Sequence, residues 1–148
     1  MAGLDRFVAA QEGAFDGALA ELRRGRKTGH WIWFVFPQIA GLGMSEMSRH
    51  YAIHDLDEAR AYLSHRMLGA RLVEAAEAVL DWAGQRSAEA MLGGIDAVKL
   101  RSSATLFEAA GGDATFAQVL DVFYDGERDT ATLRLLAANS RGERGDFG

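Results

Sequence analysis

The chain has 148 residues, of which 49% are apolar and 25% charged, and it carries a formal net charge of −5. This balance is typical of a globular domain and lies far from the composition of disordered chains. The absence of cysteine excludes disulfides, thiolate zinc sites and thiol nucleophiles, and it is compatible with a reducing compartment. The acidic net charge argues against a general binder of nucleic acid.

The start of the chain, residues 1–7, lacks the basic stretch and the apolar run of a signal peptide. The longest aromatic and aliphatic run, residues 31–36, is far shorter than the ~20 residues that cross a bilayer. We therefore expect a cytoplasmic protein with no membrane-spanning segment.

The first predicted element is an amphipathic helix over residues 4–24, whose apolar positions recur at helical spacing. Arg23 and Arg24 stand where cations favour the carbonyl end of a helix, and Gly25 suits a left-handed cap. The basic cluster 23–27 is therefore interpreted mainly as a helix end rather than as a nucleic-acid site.

Residues 30–38 follow, with a β-branched and aromatic composition that by itself favours a strand. A strand needs a partner for its backbone groups, and no second alternating segment of comparable strength occurs in the chain. We expect a short buried helix or an extended core segment that ends at Pro37. Gly41 and Gly43 then predict a flexible loop of the kind that often borders a site.

The rest of the chain predicts helix after helix, each with a start signal. Asp55 and Glu58 have the spacing of a capping box, and further helices are expected to begin at Ser64, Ser87, Asp96, Asp113 and Asp129. The prediction is an all-α fold: a compact single-domain bundle of about six or seven helices over residues 1–148, with the irregular aromatic segment 30–38 in the core. Residues 140–148 are expected to form a frayed tail.

The aromatic segment also holds the first candidate site residues. Trp31, Phe34 and Phe36 are interpreted as core filling. His30, Trp33 and Gln38 are better candidates for ligand binding, because their polar atoms need partners when buried.

A second cluster contains Lys99, Ser102 and Ser103, which share one face of a predicted helix. A cation and two hydroxyls could converge there on a phosphate or carboxylate. The structural alternative is a polar helix face whose serines bond to carbonyls one turn earlier. The order Lys-x-x-Ser is the reverse of the serine acyl-enzyme signature, so no catalytic residue is assigned.

No metal or cofactor site is predicted. His50 and His54 are four residues apart, but the third ligand and the general base of a zinc hydrolase motif are missing. Gly41 and Gly43 lack the flanking strand and the further glycines of a phosphate-binding loop.

Several of these segments together resemble one bacterial family. They are the run from Arg26 to Gln38, Gly41-Leu-Gly43, Tyr51-Ala-Ile53, the segments 58–63 and 68–72, and Lys99-Leu-Arg-Ser-Ser-Ala-Thr-Leu-Phe107. The chain is similar over residues 7–135 to domain-of-unknown-function family 1810, often labelled "calpastatin". The resemblance implies a small, mainly helical fold and no established activity. Members of that family commonly have a proline after the histidine at the corner between two helices. In this chain, His65 is followed by Arg66 instead.

The "calpastatin" label does not fit the chain, because a calpain inhibitor of that kind is long and disordered. Two hypotheses for function remain open. In the first, the protein is a binding protein or an enzyme for a small anionic molecule, nucleotide-like in one variant. The ligand would lie in a cleft between segment 30–38 and the helix of residues 96–110, held by His30, Trp33, Gln38, Lys99, Ser102 and Ser103. The alternative is a non-enzymatic protein–protein interaction module, which predicts an exposed apolar patch.

Overall fold

The computed structural model describes the backbone of residues 2–145 and the side chains of residues 3–139. Within this part of the chain the fold is all-α, as predicted, and the only strand-like pairing is one parallel bridge between Ile39 and Ile53. The helices are α1 (Ala2–Gln11), α2 (Phe15–Arg24), α3 (Ile32–Val35), α4 (Glu46–His50), α5 (Leu56–Ser64), α6 (Leu68–Leu80), α7 (Ala88–Leu92), α8 (Gly94–Ala109), α9 (Ala114–Phe123) and α10 (Thr130–Gly145).

The prediction of six or seven helices is wrong, since the described residues form ten. The predicted helix 4–24 is two helices, because Gly13 takes a φ of +77°, a left-handed conformation that ends α1. Helix α4 is only five residues long and was too short for a periodic pattern to reveal, whereas the short helix α7 was predicted from its cap at Ser87.

Helix α8 lies at the centre of the domain. It packs against α5, α7, α9 and α10, and half of its sixteen residues are buried. Helix α6 packs against α9 and also contacts α2 and α5. Because neighbours surround α8, residues on several of its faces are buried, including Ser102, Ser103 and Thr105.

The aromatic segment 30–38 is part of the core, as predicted, with Trp31, Phe34 and Phe36 buried. It forms the short helix α3 rather than a strand. Only Trp33 among its aromatic residues is half-exposed.

Glu21 on α2 holds the backbone that leads into this segment. One of its carboxylate oxygens accepts hydrogen bonds from the backbone N–H of Thr28 at 2.6 Å, from that of Gly29 at 2.9 Å and from the indole of Trp31 at 3.0 Å. Burial alone would raise the pKa of Glu21, but these donors outweigh it and lower that pKa to about 2.

Four of the predicted caps are confirmed. Asp55 accepts from the N–H of Glu58 at 2.9 Å, Ser87 from that of Ala90 at 3.0 Å, Asp113 from that of Thr115, and Asp129 caps α10. The reciprocal hydrogen bond of the capping box differs from the prediction, because the Glu58 carboxylate accepts from the backbone N–H of His54.

The predicted starts at Ser64 and Asp96 are wrong. Ser64 is the last residue of α5, and the ring of His65 accepts from the N–H groups of Met67 and Leu68 at 3.2 Å each. Asp96 stands inside the first turn of α8, which begins at Gly94.

The tail predicted over residues 140–148 falls partly within α10 and, from residue 146 onward, outside the described residues. In the described part of the chain, no helix combines the length and apolar character that crossing a bilayer requires.

Candidate functional site

A pocket of about 440 Å³ opens between the segment 38–48, the first half of α8 and the start of α10. The parallel bridge positions one wall: the Ile53 N–H donates to the Gln38 carbonyl, and the Ala40 N–H to the Ile53 carbonyl, both at 2.8 Å. The lining residues are Gln38, Leu42, Gly43, Ser48, Ile95, Val98, Lys99, Ser102, Asp129 and Ala131.

Gly43 is required by the close approach of this wall to α4. A Cβ at position 43 would lie 2.4 Å from the Oγ atom of Ser48. The glycine-containing loop predicted to border a site therefore does line the pocket.

Lys99 contributes the positive charge of the pocket wall. Its ammonium nitrogen lies 3.6 Å from Oδ1 of Asp96 and 4.9 Å from the centroid of the Trp33 ring. An indole face attracts a cation, so Trp33 and Asp96 together hold Lys99 at the pocket. The side chain of Lys99 remains 23% exposed. The indole face that Lys99 covers is therefore not open to a ligand.

Lys27 approaches the same carboxylate from the other side. It and Lys99 are the only lysines among the 16 cationic residues of the chain, and both meet Asp96. The Lys27 ammonium lies 2.7 Å from Oδ2 of Asp96 and donates to the carbonyl of Gly29 at 2.6 Å. In this lysine cluster (Lys27, Asp96, Lys99), two ammonium groups face one carboxylate, which leaves one net positive charge.

Ser102 and Asp129 form the part of the lining that connects α8 to α10. The Ser102 hydroxyl lies 3.0 Å from Oδ2 of Asp129 and 3.2 Å from the Val98 carbonyl. The same Oδ2 atom accepts from the backbone N–H and the hydroxyl of Thr132, at 3.1 and 2.5 Å. The other oxygen of Asp129 has Arg101 at 3.6 Å, beyond hydrogen-bond distance.

A small recess adjoins the pocket and shares Gln38, Leu42, Gly43 and Ser48 with it. Trp33 lines this recess, and its indole N–H is buried without a hydrogen-bond partner among the described residues. The recess holds about 10 Å³, roughly the space of one water molecule.

The structure brings together four of the six candidate residues. Gln38, Lys99 and Ser102 line the pocket, and Trp33 lies behind Lys99 in the adjoining recess. His30 is exposed and outside the lining, and Ser103 is 1% exposed within the core.

The hydroxyl of Ser102 bonds one turn back along the helix, the geometry of the structural alternative. Its one proton lies between two acceptors, the carbonyl of Val98 and the carboxylate of Asp129, and so is not directed at an anion.

Sequence reasoning missed Asp129 and Lys27 as members of the site. Asp129 was interpreted only as a helix cap, which it is, but an ionised carboxylate has acceptor capacity beyond the cap. Lys27 was counted with the basic end of α2. Lys27 meets Asp96 across the fold, so no local pattern in the sequence connected the two residues.

The histidines at 50 and 54 do not share a helix face. His50 is the last residue of α4, and His54 lies beyond it, 3.2 Å from the Glu58 carboxylate. Among the described residues, no three histidine, aspartate or glutamate side chains gather as a metal ion would require.

The fold and the pocket together define a small all-α domain with an open pocket beside its central helix. Residues 1–136 match the family described as "Protein of unknown function (DUF1810)", and the chain belongs to that family. The fold is similar to the crystal structure of the conserved hypothetical protein Rv1873 from Mycobacterium tuberculosis. The TM-score is 0.87 at 46% sequence identity, over 90% of this chain and 96% of that chain. No curated protein matches the chain. The family resemblance seen in the sequence is confirmed.

Proposed function

We propose that the protein binds a small anionic molecule in the pocket between segment 38–48 and α8. The observation that carries this proposal is the ammonium group of Lys99 on the pocket lining, which belongs to a lysine cluster with one net positive charge. The charge of Asp96 is compensated mainly by Lys27, which is 2.7 Å away and 7% exposed. The more distant and more exposed Lys99 is then the cation available to a ligand.

The size and the remaining lining fit a ligand with an anionic group and an organic body. A volume of about 440 Å³ lies within the range of ordinary small-molecule sites. Leu42, Ile95 and Val98 supply apolar contact, and the side-chain amide of Gln38 adds a hydrogen-bond donor and an acceptor to the same lining. A nucleotide-like ligand would pack its base on these aliphatic groups, because Lys99 covers a face of Trp33.

Thermal unfolding in the presence of phosphate-bearing probes tests the proposal. The probes are inorganic phosphate, sn-glycerol 3-phosphate and AMP, with uncharged glycerol and adenosine beside them. A probe at about 100 times its dissociation constant should add about 2.7 kcal/mol to the stability. That gain corresponds to a rise of roughly 5 to 10 °C in the melting temperature of a domain of this size.

One variant and its matched control test whether the anion binds at Lys99. Lys99→Gln removes the charge of Lys99 but keeps a polar side chain, and we expect the affinity for anionic probes to fall about tenfold or more. Arg60→Gln is the matched control. Arg60 lies 3.6 Å from Asp57, three residues before it on α5, which reproduces the Lys99–Asp96 spacing away from the pocket. If no anionic probe binds, or if both variants bind like the parent chain, the proposal is wrong.

The interaction module is a second candidate, favoured by apolar side chains at the pocket rim. Ile95 is 76% exposed and Val98 54% exposed, and Met44, beside the lining residue Gly43, is 74% exposed. A surface of this kind is typical of protein interfaces. Sedimentation of the parent chain and of Ile95→Ser tests it: a self-associating parent and a monomeric variant would support it, and two monomers would count against it.

A further inference from the structure

The chemistry of the pocket lining changes along α8, from a cation at one end to hydrogen-bond acceptors at the other. Lys99 lies at one end, and Ser102 follows one helical turn later, at a spacing of about 5 to 6 Å between their Cβ atoms. Asp129 meets Ser102 at that second end. The two ends must therefore contact different parts of any ligand that spans them.

The Ser102 end offers hydrogen-bond acceptors. The hydroxyl of Ser102 has one proton, and its two polar neighbours, the carbonyl of Val98 and the carboxylate of Asp129, are both acceptors. The proton is committed to one of them, so the oxygen of Ser102 can only accept from a ligand.

Asp129 adds a second acceptor at this end. Thr132 donates twice to its Oδ2 atom, where the Ser102 hydroxyl also lies at 3.0 Å, whereas Oδ1 has the Arg101 guanidinium at 3.6 Å and no donor within 3.5 Å among the described residues. The side chain is 10% exposed and lies on the pocket lining. An anionic ligand group at Oδ1 would be repelled, whereas a hydroxyl or amino group there would donate to a carboxylate.

Resting on the proposed function, we infer that the ligand is an anion that also carries hydrogen-bond donors, a hydroxyl or an amino group, about one helical turn from its charge. The anionic group pairs with Lys99, and the donors reach Ser102 and Asp129. Small polyol phosphates and amino-bearing phosphates have this chemistry. Asp129 is then the residue that sets the specificity, and Lys99 the residue that sets the affinity for the charge.

Matched pairs of probes test the inference by calorimetric titration. sn-Glycerol 3-phosphate is compared with n-propyl phosphate, which has the same length without hydroxyls, and O-phosphoethanolamine with ethyl phosphate. Because a hydrogen bond to a charged group strengthens binding about tenfold or more, we expect at least one donor-bearing probe to bind more tightly than its partner by that ratio. The pair that shows the ratio tells whether the donor is a hydroxyl or an amino group.

Asp129→Asn should bring that ratio to about one. Asparagine caps a helix about as well as aspartate, so α10 keeps its start while the amide replaces an acceptor with a donor. Ser102→Ala is the second variant, since alanine suits the interior of α8 and removes the other acceptor. It should lower the ratio as well.

The outcomes separate this inference from the proposed function. If all four probes bind equally to the parent chain, or if the ratio survives in both variants, the inference is overturned and the anion site at Lys99 stands. If none of the probes binds, or if Lys99→Gln binds them like the parent chain, the proposed function fails and the inference fails with it.

Discussion

Glycine-to-alanine substitutions at two helical positions should have opposite effects on the stability of the domain, and the first position lies at the corner between α5 and α6. Gly69 lies in the first turn of α6, against the end of α5. A Cβ at this position would lie 2.1 Å from the carbonyl oxygen of Leu63 and 2.9 Å from its carbonyl carbon. Real Cβ atoms essentially never approach within 3.0 Å, so the two helices would have to separate by about 0.9 Å, the difference between 3.0 and 2.1 Å.

That separation disturbs Tyr62 and Leu68, which flank the corner and are fully buried. Overpacking of this kind costs about 3 kcal/mol, whereas alanine gains about 1 kcal/mol over glycine within a helix. Gly69→Ala should therefore destabilise the domain by about 2 kcal/mol and lower its melting temperature by about 6 °C.

Gly17→Ala is the matched control for this prediction. Gly17 also lies in a helix, α2, but no atom lies within 4 Å of a Cβ built there. The substitution should raise the melting temperature by about 3 °C, since only the helix propensity changes. Circular dichroism at increasing temperature measures both variants. Equal melting temperatures for the two would refute the packing of α5 on α6 described above.

Two further predictions concern stability. Arg66→Pro should stabilise the domain by about 0.4 to 1 kcal/mol, because His65 has the extended conformation (φ −67°, ψ 127°) that a residue before proline prefers. The N–H of Arg66 also makes no hydrogen bond in the described part of the chain. A lower melting temperature would show that the turn cannot accept proline. Glu21→Gln should flatten the acid dependence of stability. The pKa of Glu21 is depressed from 4.5 to about 2 in the folded chain, so its contribution is complete above pH 4.5 and is lost as the pH falls toward 2. Urea midpoints across this range should decline more steeply in the parent chain than in the variant, and parallel declines would contradict the role of Glu21.

Much of the fold follows from local patterns in the sequence. The caps at Asp55, Asp113 and Asp129 could be predicted because a cap depends on two to four neighbouring residues. The break at Gly13 was missed because the apolar spacing continues across it, and glycine alone does not distinguish a helix end from a helix interior.

The site was predictable only where its residues share an element. Lys99 and Ser102 could be placed together because they are three residues apart on one helix. Lys27 reaches Asp96 across the fold, and no local pattern connects the two. Asp129 was recognised as a cap, but its position in the pocket depends on how α10 packs against α8.

Acylation of the two lysines tests the central claim most directly, because the chain has no others. Lys27 is 7% exposed and serves as the internal reference, whereas Lys99 is 23% exposed at the pocket. With sn-glycerol 3-phosphate at about ten times its dissociation constant, acetylation of Lys99, followed by mass spectrometry, should slow about tenfold while that of Lys27 stays constant. An unchanged rate at Lys99 with the probe bound would contradict an anion site at this residue.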